Sequence, residues 1–335
     1  MDQVVGPHEH EYLPAKAMAD GHMYDSETIA FLGISRLRGV GFQTLSGLGG
    51  REGIARILEG GDVSEITKRV SPPPSTVADW ADFSRKILAL GEELAESLTR
   101  KRVRFLFAED AQFPPALACL PDDLRPQWLF IAGNLSLLQT PAIAIVGTRD
   151  PTEDGEFLAK YSVSCAREAE APVVSGLAYG IDRMVHEWCL RIGLPTISVL
   201  GNGILAPYPA KHAPLSKAII EAGGVVMSEY LPNQGPSANQ FVWRNRLQAA
   251  LGRATIPVEW NRKSGTAHTV RFSRKLGRPV IGVRIDGIAP NPEAGEPDLQ
   301  FAVPREHTNL LEALKSALKA GTPTKDAIHQ PDLFG

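Results

Sequence analysis

The chain has 335 residues, 43% of them hydrophobic and 22% charged, with a formal net charge of −3. This length and apolar content predict a globular protein with one substantial core and smaller units beside it. No stretch of about 18 uncharged apolar residues occurs, and residues 1–20 lack the basic start of a signal peptide, so we expect a cytoplasmic protein without a membrane segment. Cys119, Cys165 and Cys189 are widely spaced and form no CxxC pair, which favours neither a disulfide framework nor a metal site.

The charges are unevenly distributed along the chain. Residues 1–140 hold 14 Lys and Arg against 19 Asp and Glu, residues 141–290 hold 17 against 12, and residues 291–335 hold 4 against 7. Within the basic central segment one stripe is relieved by Glu259 alone, and its members are Arg244, Arg246, Arg253, Arg262, Lys263, Arg271, Arg274, Lys275 and Arg278. The stripe predicts either a local positive potential or a solvated basic face.

The sequence predicts a mobile leader over residues 1–25, followed by a helical domain over residues 26–100. Helical spacing predicts three short helices up to residue 60, the first with Ser26 as N-cap, and one long helix over residues 76–100. The Gly39-Val40-Gly41 turn between the first two gives the layout of a helix-hairpin-helix unit, in which free backbone N–H groups bind phosphate. A small packing or dimerisation module explains the same glycines.

Residues 101–290 predict a Rossmann-like domain. A first strand is expected at Val103–Phe107, and from Pro141 onward short apolar runs alternate with helical segments. The predicted strands are Ala142–Val146, Pro172–Ser175, Thr196–Leu200, Gly224–Ser228, Ala254–Glu259 and Pro279–Val283; the predicted helices are 153–170, 181–192, 211–222, 243–251 and 266–276. This alternation predicts an α/β fold with a doubly wound, mainly parallel sheet covered on both faces. Residues 291–335 add one helix, Leu310–Ala320, and a tail.

Ligands of such sheets bind beyond the carboxyl ends of the strands, where this chain places glycine-rich loops. Gly147-Thr148-Arg149 follows the first strand of the alternating region, and a helix start after it offers free N–H groups to a phosphate. Ser175, Gly176 and Gly180 follow the next strand, with Asp182 as the expected N-cap of a helix. Both loops predict anion-binding turns, although a tight turn or a helix cap needs no ligand.

Three further loops reach the same edge. Tyr208 and Lys211 offer an aromatic face beside a cation, which suits a base next to its phosphate, unless Tyr208 is an ordinary packed ring. Arg244-Asn245-Arg246 predicts a donor-rich surface, and Lys263-Ser264-Gly265-Thr266 predicts a turn into a helix N-terminus. Each loop alone has a structural explanation, but five such loops at one edge predict a phosphate-binding surface.

A small-molecule site is the alternative use of these loops. A nucleotide sensor or hydrolase would employ Glu229 or Glu259 as acid or base. The sequence shows no nucleophile elbow and no cluster of metal ligands, and His186 lies four residues after Asp182 on a predicted helix, which is typical of a structural pair. We therefore expect a protein without catalysis, metal or cofactor.

Taken together and in order, the motifs resemble those of the DprA/Smf family of DNA-processing proteins, over about residues 30–285. They are Ala142–Arg149, Val174–Asp182 with His186, Val199–Gly203 with Tyr208-Pro209, Ser228–Tyr230, Arg244–Arg246 and Ser264–Thr266. The resemblance implies an extended Rossmann fold that binds single-stranded DNA without strong sequence preference, forms a dimer and hands the strand to RecA, in many members during natural transformation. It also implies a DNA-backbone contact for Arg149 and for a lysine, of which Lys211 is the nearest.

The chain departs from the family pattern in several places. His212 stands where the family more often has asparagine, and Leu247–Gly252 differs from the family's usual sequence. Where many members continue into a winged-helix domain, this chain has a short tail. That tail, with Gln330, Asp332, Leu333 and Phe334, resembles the peptide by which bacterial repair proteins dock on the sliding clamp. The alternative is a tail that folds back on its own domain.

Overall fold

The structure is a computed structural model, and it describes residues 23–60, 77–289 and 294–321. Most of the predicted leader and the whole clamp-like tail lie outside these residues. The chain divides into two compact units: one is built from residues up to Gly47 and from Arg51–Thr99, and the other from Leu48–Gly50 and the residues from Arg100 onward.

The first unit is helical, as the sequence predicts. Its helices are α1 (Ser26–Ile34), α2 (Phe42–Ser46), α3 (Gly50–Leu58) and the long α4 (Val77–Arg100). The predicted cap of α1 is wrong by one residue, because Asp25 accepts a hydrogen bond from the backbone N–H of Thr28 at 2.9 Å. Phosphate binding at the turn between α1 and α2 stays a prediction.

The second unit is a Rossmann-like α/β sandwich, and the predicted fold class is confirmed. Its strands are β1 (Val103–Phe107), β2 (Trp128–Gly133), β3 (Ala142–Gly147), β4 (Val173–Ser175), β5 (Thr196–Val199), β6 (Val225–Ser228), β7 (Gly252–Val258), β8 (Ile281–Ile285) and β9 (Leu299–Val303). Its helices are α5 (Pro115–Ala118), α6 (Glu153–Glu168), α7 (Ile181–Arg191), α8 (Ala213–Glu221), α9 (Ala238–Leu251), α10 (Thr266–Lys275) and α11 (His307–Lys319). Short 3₁₀ turns at Leu135–Gln139 and Ala210–His212 complete it.

Seven strands form one sheet in the order β1-β2-β6-β5-β4-β3-β7. The five from β6 to β7 are parallel, while β1 and β2 run antiparallel at one side. Alternate residues of β3 point into two different cores. Ala142 and Ala144 pack with residues of α9, and Ile143 and Ile145 pack with residues of α6, α7 and α11. Because both faces are buried, only the strand ends are left for a ligand.

Two strands arise from pairings that the sequence pattern does not show. β2 is a continuous apolar run that pairs antiparallel with both neighbours, and β9 pairs in register with β8. The expected sixth strand of the main sheet, β8, belongs instead to this two-stranded sheet, and a single bridge between Thr255 and Val280 joins it to β7. Among the described residues, no helix is long and apolar enough to cross a membrane.

Candidate nucleic-acid interface

A cavity of about 600 Å³ opens at the carboxyl edge of the parallel strands. It brings together residues of all five predicted loops: Gly147-Thr148-Arg149, Ala178 and Asp182, Tyr208, Arg244-Asn245, and Ser264-Gly265-Thr266. They are spread over more than a hundred residues of the chain, and they meet because parallel strands end at the same edge. The cavity is therefore the candidate site.

Aromatic rings and cations lie at the mouth of this cavity and next to it, and Arg149, Tyr208 and Phe241 line the cavity itself. Tyr208 is 45% exposed, its ring centroid lies 5.6 Å from that of Phe241, and the Arg149 guanidinium lies 5.6 Å from the Phe241 centroid. Tyr179 is 38% exposed, and Lys211 Nζ lies 4.4 Å from its ring centroid. All but Lys211 also line one adjoining cleft of about 90 Å³. We call Tyr179, Tyr208 and Phe241 the aromatic row.

The pairing within this row differs from the sequence prediction. Lys211 was expected beside Tyr208, but the structure places it over Tyr179 and stacks Tyr208 near Phe241. Tyr179 and Phe241 were missed as site residues. The sequence feature that could have identified them is position: Tyr179 lies in a glycine-rich loop, and Phe241 lies in a first helical turn shortly before the arginine motif. Phe241 reaches the site because α9 begins at Ala238, earlier than predicted, with Ser237 as its N-cap.

The loop after β4 forms part of the cavity wall, two of its side chains have other roles than predicted, and anion binding at Gly176 and Gly180 stays a prediction. Ser175 is fully buried, and its hydroxyl donates to the Ile145 carbonyl at 2.7 Å, so its predicted role as a ligand group is wrong. Gly180, at φ 71°, is the N-cap of α7, and Asp182 is the second residue of that helix. The predicted capping role of Asp182 is therefore wrong.

Asp182 instead faces a buried cation, Arg244. A Cβ atom on Gly176 would lie 2.2 Å from Asp182 Oδ2 and 2.4 Å from Arg244 Nη1, so this glycine is required for their approach. Arg244 is 4% exposed and donates from Nη1 to the Val199 carbonyl. Burial raises the pKa of Asp182, and the charge of Arg244 opposes that rise. The base of the cavity therefore holds the Arg244 guanidinium in a fixed position, with the Asp182 carboxyl group beside it to offset part of its charge.

Two donors at the base of the cavity have no hydrogen-bond partner within the described part of the chain. Gln248 is 1% exposed with no acceptor for Nε2, and Arg244 has none for Nε. Both residues line the cavity. Buried donors are hydrogen-bonded in most folded proteins, so the base of the cavity is suited to a ligand with acceptor atoms or to ordered water.

The start of α10 is the helix terminus best suited to an anion here. Gly265 is its N-cap, without a side-chain hydrogen bond, and the first turn carries no acidic residue. Asn245 Nδ2 donates to the Gly265 carbonyl at 3.1 Å and fixes the turn against α9. The Ser264 N–H and hydroxyl both donate to the Asn261 carbonyl, at 3.1 and 2.8 Å. Because the first N–H groups of a helix lack intrahelical partners, the backbone N–H groups of Gly265 and Thr266 are the donors that this turn offers at the cavity wall. Lys263 is exposed beside this turn but does not line the cavity.

The start of α6 is not an anion site, contrary to the sequence prediction. The Thr152 hydroxyl accepts the Gly155 N–H at 3.2 Å, and Glu259 Oε2 accepts the Thr152 N–H at 2.9 Å. The first turn also carries Glu153, Asp154 and Glu156. These charges satisfy the helix dipole and repel a phosphate. Glu259 is engaged as a cap, which argues against it as the acid or base of a hydrolase.

Arg246 lies in the core, so its predicted place on a donor-rich surface is wrong. It is 1% exposed, and its two Nη atoms lie 2.6 and 2.5 Å from the two carboxylate oxygens of Glu229. Its Nε donates to the Leu124 carbonyl at 2.8 Å. Glu229 is equally buried, so it is not available as an acid or base either.

The wider basic stripe does not form one surface. Arg244, Arg246 and Arg278 are buried, while Arg262 and Arg274 pair with Glu296 and Asp298. The exposed cations at the candidate site are Arg149 and Lys211 at the aromatic row. The stripe is therefore not one continuous surface, and a positive potential that arises from it stays a prediction.

His186 supports the loop after β4 from inside. It is fully buried, with Nδ1 2.9 Å from Thr196 Oγ1 and Nε2 hydrogen-bonded to the Gly176 carbonyl. Burial lowers its pKa from 6.5 to about 4, so the ring is neutral at pH 7. This confirms the structural interpretation of His186.

The neutral His186 predicts a loss of stability in mild acid. Its pKa is lower in the folded chain than in the unfolded chain, so the unfolded chain binds the proton first as the pH falls below 6.5. The second unit should lose about 2 kcal/mol from this group between pH 7 and pH 5. Urea unfolding at both pH values measures it. In His186→Gln this part of the loss should vanish, and an unchanged pH dependence in that variant would contradict the assignment.

These features define a Rossmann-like α/β protein with an anion-receptive, aromatic-rimmed cavity at the sheet edge. The family model for DNA recombination-mediator protein A matches residues 104–295, more than half of the chain. The chain belongs to this family, and the predicted DprA/Smf resemblance is confirmed.

Several curated relatives match the same region. The chain is 40% identical over 156 residues to a putative DNA processing protein DprA of Mycobacterium tuberculosis, covering 47% of this chain and 40% of that protein. It is 35% identical over 179 residues to DprA of Streptococcus pneumoniae, covering 51% and 63% of the two chains. Protein Smf of Escherichia coli is 33% identical over 179 residues, 53% and 47% of the two chains. The matches span less than two thirds of each relative.

Solved structures show the same likeness. The X-ray structure of DprA from Streptococcus pneumoniae superposes with a TM-score of 0.54 at 28% identity, covering 79% of this chain and 88% of that one. DNA processing protein A from Helicobacter pylori, described as having a single-stranded DNA binding mode, gives a TM-score of 0.49 at 27% identity over 67% of this chain and 93% of that one.

Proposed function

We propose that this protein is a recombination mediator that binds single-stranded DNA at the cavity edge and acts without catalysis. The observation that carries the proposal is the aromatic row with its two cations. Tyr208 and Phe241 lie beside Arg149, and Tyr179 lies beneath Lys211. Proteins that bind single strands without sequence preference combine such stacking faces with backbone-tracking charges.

The exposure of the rings favours a single strand over a duplex. Tyr179 and Tyr208 are 38% and 45% exposed, so each offers a ring face to a base. In a duplex the bases are stacked on one another and are not free to use such faces. The α10 N-terminus and the unpartnered donors of Gln248 and Arg244 lie deeper, where they suit a phosphate or a base edge.

Several finer parts of the proposal rest on family membership. They are protection of the strand, its transfer to RecA, assembly as a homodimer, and a role in natural transformation or repair. Docking of Gln330, Asp332, Leu333 and Phe334 on a sliding clamp stays a prediction. The absence of catalysis is supported by Glu229 and Glu259, which are both engaged in structural contacts.

A free nucleotide is the second candidate ligand. The observation that favours it is the cavity itself, which has unpartnered buried donors at its base. Thermal unfolding with nucleoside monophosphates and with a short oligonucleotide separates the two candidates. Stabilisation by the mononucleotide alone would favour a sensor.

Strand binding is tested by fluorescence anisotropy with single-stranded and double-stranded oligonucleotides over a salt range. Arg149→Ala should weaken single-strand binding and lower the slope of log K against log salt by about 0.7, because one phosphate contact is lost. The matched control is Arg191→Ala. Arg191 is also an exposed arginine over an aromatic ring, 5.2 Å from Trp188, but it lies in the last turn of α7, at the opposite edge of the sheet.

The control should leave both affinity and slope unchanged. Equal effects of the two substitutions would mean that the strand does not use the carboxyl edge. If the natural chain binds the duplex more tightly than the single strand, the N-terminal helical unit becomes the candidate DNA-binding site.

A further inference from the structure

Two arginines lie side by side at the opposite, amino edge of the sheet. Arg253 is the second residue of β7, and Arg278 comes shortly before β8. Thr255 bridges Val280 in parallel register, and the Thr255 N–H donates to the Pro279 carbonyl at 3.0 Å. Each arginine precedes its bridge residue by two positions. Since side chains alternate along a strand, the two arginines lie next to each other on one face.

This pair of cations has no carboxylate partner among the described residues. Arg278 is only 5% exposed, and its Nε has no hydrogen-bond partner; Nη1 of Arg253 is buried and also without a partner. In the described part of the chain no carboxylate forms an ion pair with either group. Burial lowers the pKa of Arg278 to about 10, and the neighbouring charge of Arg253 contributes to that shift.

Such an arrangement is unfavourable unless an anion completes it. Buried charges in proteins are normally paired, because an unpaired ion loses its hydration without compensation. Two like charges on neighbouring strands add mutual repulsion. We propose that Arg253 and Arg278 bind a phosphate dianion, either inorganic phosphate or a phosphate monoester.

The geometry favours a small dianion over a polymer. Two guanidinium groups bring two positive charges and two forks of N–H donors, which the oxygens of one phosphate satisfy together. Arg278 is too deeply buried for an internal phosphodiester of a strand to reach, whereas Arg253 is half-buried and marks the entrance. The site is separate from the carboxyl-edge cavity, so it does not depend on the proposed strand binding.

Cys119 provides a reporter for this site. Cys119 lies just after α5, and in its thiolate form it is near enough to Arg253 and Arg278 to oppose the lowering of the pKa of both guanidinium groups. It is partly exposed, whereas Cys165 and Cys189 are buried. Burial raises the pKa of these two thiols to about 12, so an alkylating reagent reacts far more slowly with them.

The test measures Cys119 alkylation by iodoacetamide and the Tm of the full chain, in phosphate and in chloride of equal ionic strength. Phosphate should slow alkylation of Cys119 several-fold. At 100 times Kd it should raise the Tm by roughly 5 to 10 °C. Parallel titrations with a nucleoside monophosphate, and with an oligonucleotide with or without a 5′-phosphate, identify the source of the phosphate group.

Arg278→Met keeps the bulk of the side chain and removes the buried charge. In phosphate-free buffer this variant should melt at or above the Tm of the natural chain, and phosphate should change neither its Tm nor its Cys119 reactivity. Its affinity for single-stranded DNA should be unchanged, which separates this site from the strand site. The matched control is Arg284→Met, in β8, where the guanidinium donates to the Ile288 carbonyl at 3.3 Å.

Phosphate should act on the control as on the natural chain. The proposal is overturned if phosphate gives no more protection than chloride, or if Arg278→Met responds equally. A stabilisation that depends on protein concentration and not on phosphate would also overturn it, because a carboxylate of a second copy would then be the partner.

Discussion

Replacing Arg246 with methionine should destabilise the second unit by roughly 3 to 5 kcal/mol. The substitution leaves the Glu229 carboxylate buried, 1% exposed, without the two N–H donors that now lie 2.6 and 2.5 Å from its oxygens. It also frees the Leu124 carbonyl, which accepts from Arg246 Nε at 2.8 Å. The cost is therefore that of an uncompensated buried charge and a lost link between α9 and the segment before β2.

Urea unfolding of the single and double variants measures this cost. Arg246→Met/Glu229→Leu should recover most of the loss, because replacing both charges by apolar groups leaves no unpaired ion. The control Arg183→Met breaks an exposed pair with Glu187 at 2.7 Å, and it should cost less than about 1 kcal/mol. A double variant as unstable as the single one would show that packing of Arg246 over Trp243, and not charge, is what matters.

The parallel strands and their helices could be predicted because the signal is local. Strands β3 to β7 are short, mainly apolar runs, and each is separated from the next by a helical segment, so the alternation marks them. β2 is as apolar as these strands, but its antiparallel pairing with β1 and β6 depends on distant partners. β9 begins with two exposed residues and has no comparable pattern.

The site was harder to predict because it depends on which way each side chain points. Arg149 and Arg246 both occur in motifs at the carboxyl edge, yet one is exposed and the other is buried against Glu229. The loop before α6 has the glycine and arginine of a phosphate turn, but the first turn of α6 is acidic and Glu259, 107 residues from Thr152, accepts the Thr152 N–H. Partners at that distance leave no local trace in the sequence.

The same limit explains the aromatic row. Tyr179, Tyr208 and Phe241 come from three different segments, and the fold alone brings them to one cleft. Tyr208 was predicted because a lysine follows it closely, although that lysine contacts another ring. Residue type and edge position could therefore be predicted, but the pairing of rings with cations could not.

The row makes the largest expected contribution to strand binding. Tyr179→Ala and Tyr208→Ala should each lower the affinity for single-stranded DNA by about 1 to 3 kcal/mol, roughly 5- to 150-fold, because each removes one stacking face. Both exposed rings line the same cleft. If each ring stacks on its own base, the fold-loss of affinity in the double variant should equal the product of the two single fold-losses. Anisotropy titration at fixed salt measures all three.

Matched phenylalanine variants separate stacking from hydrogen bonding. Tyr179→Phe and Tyr208→Phe keep the ring and remove only the hydroxyl, so they should bind almost as well as the natural chain. None of these substitutions removes a charge, so the salt slope should stay constant while the affinity changes, in contrast to Arg149→Ala. A loss in the phenylalanine variants as large as in the alanine variants would assign the contact to the hydroxyl groups. If the slope falls instead, Lys211 leaves its place when the Tyr179 ring is removed, and charge and stacking at this edge act as one unit.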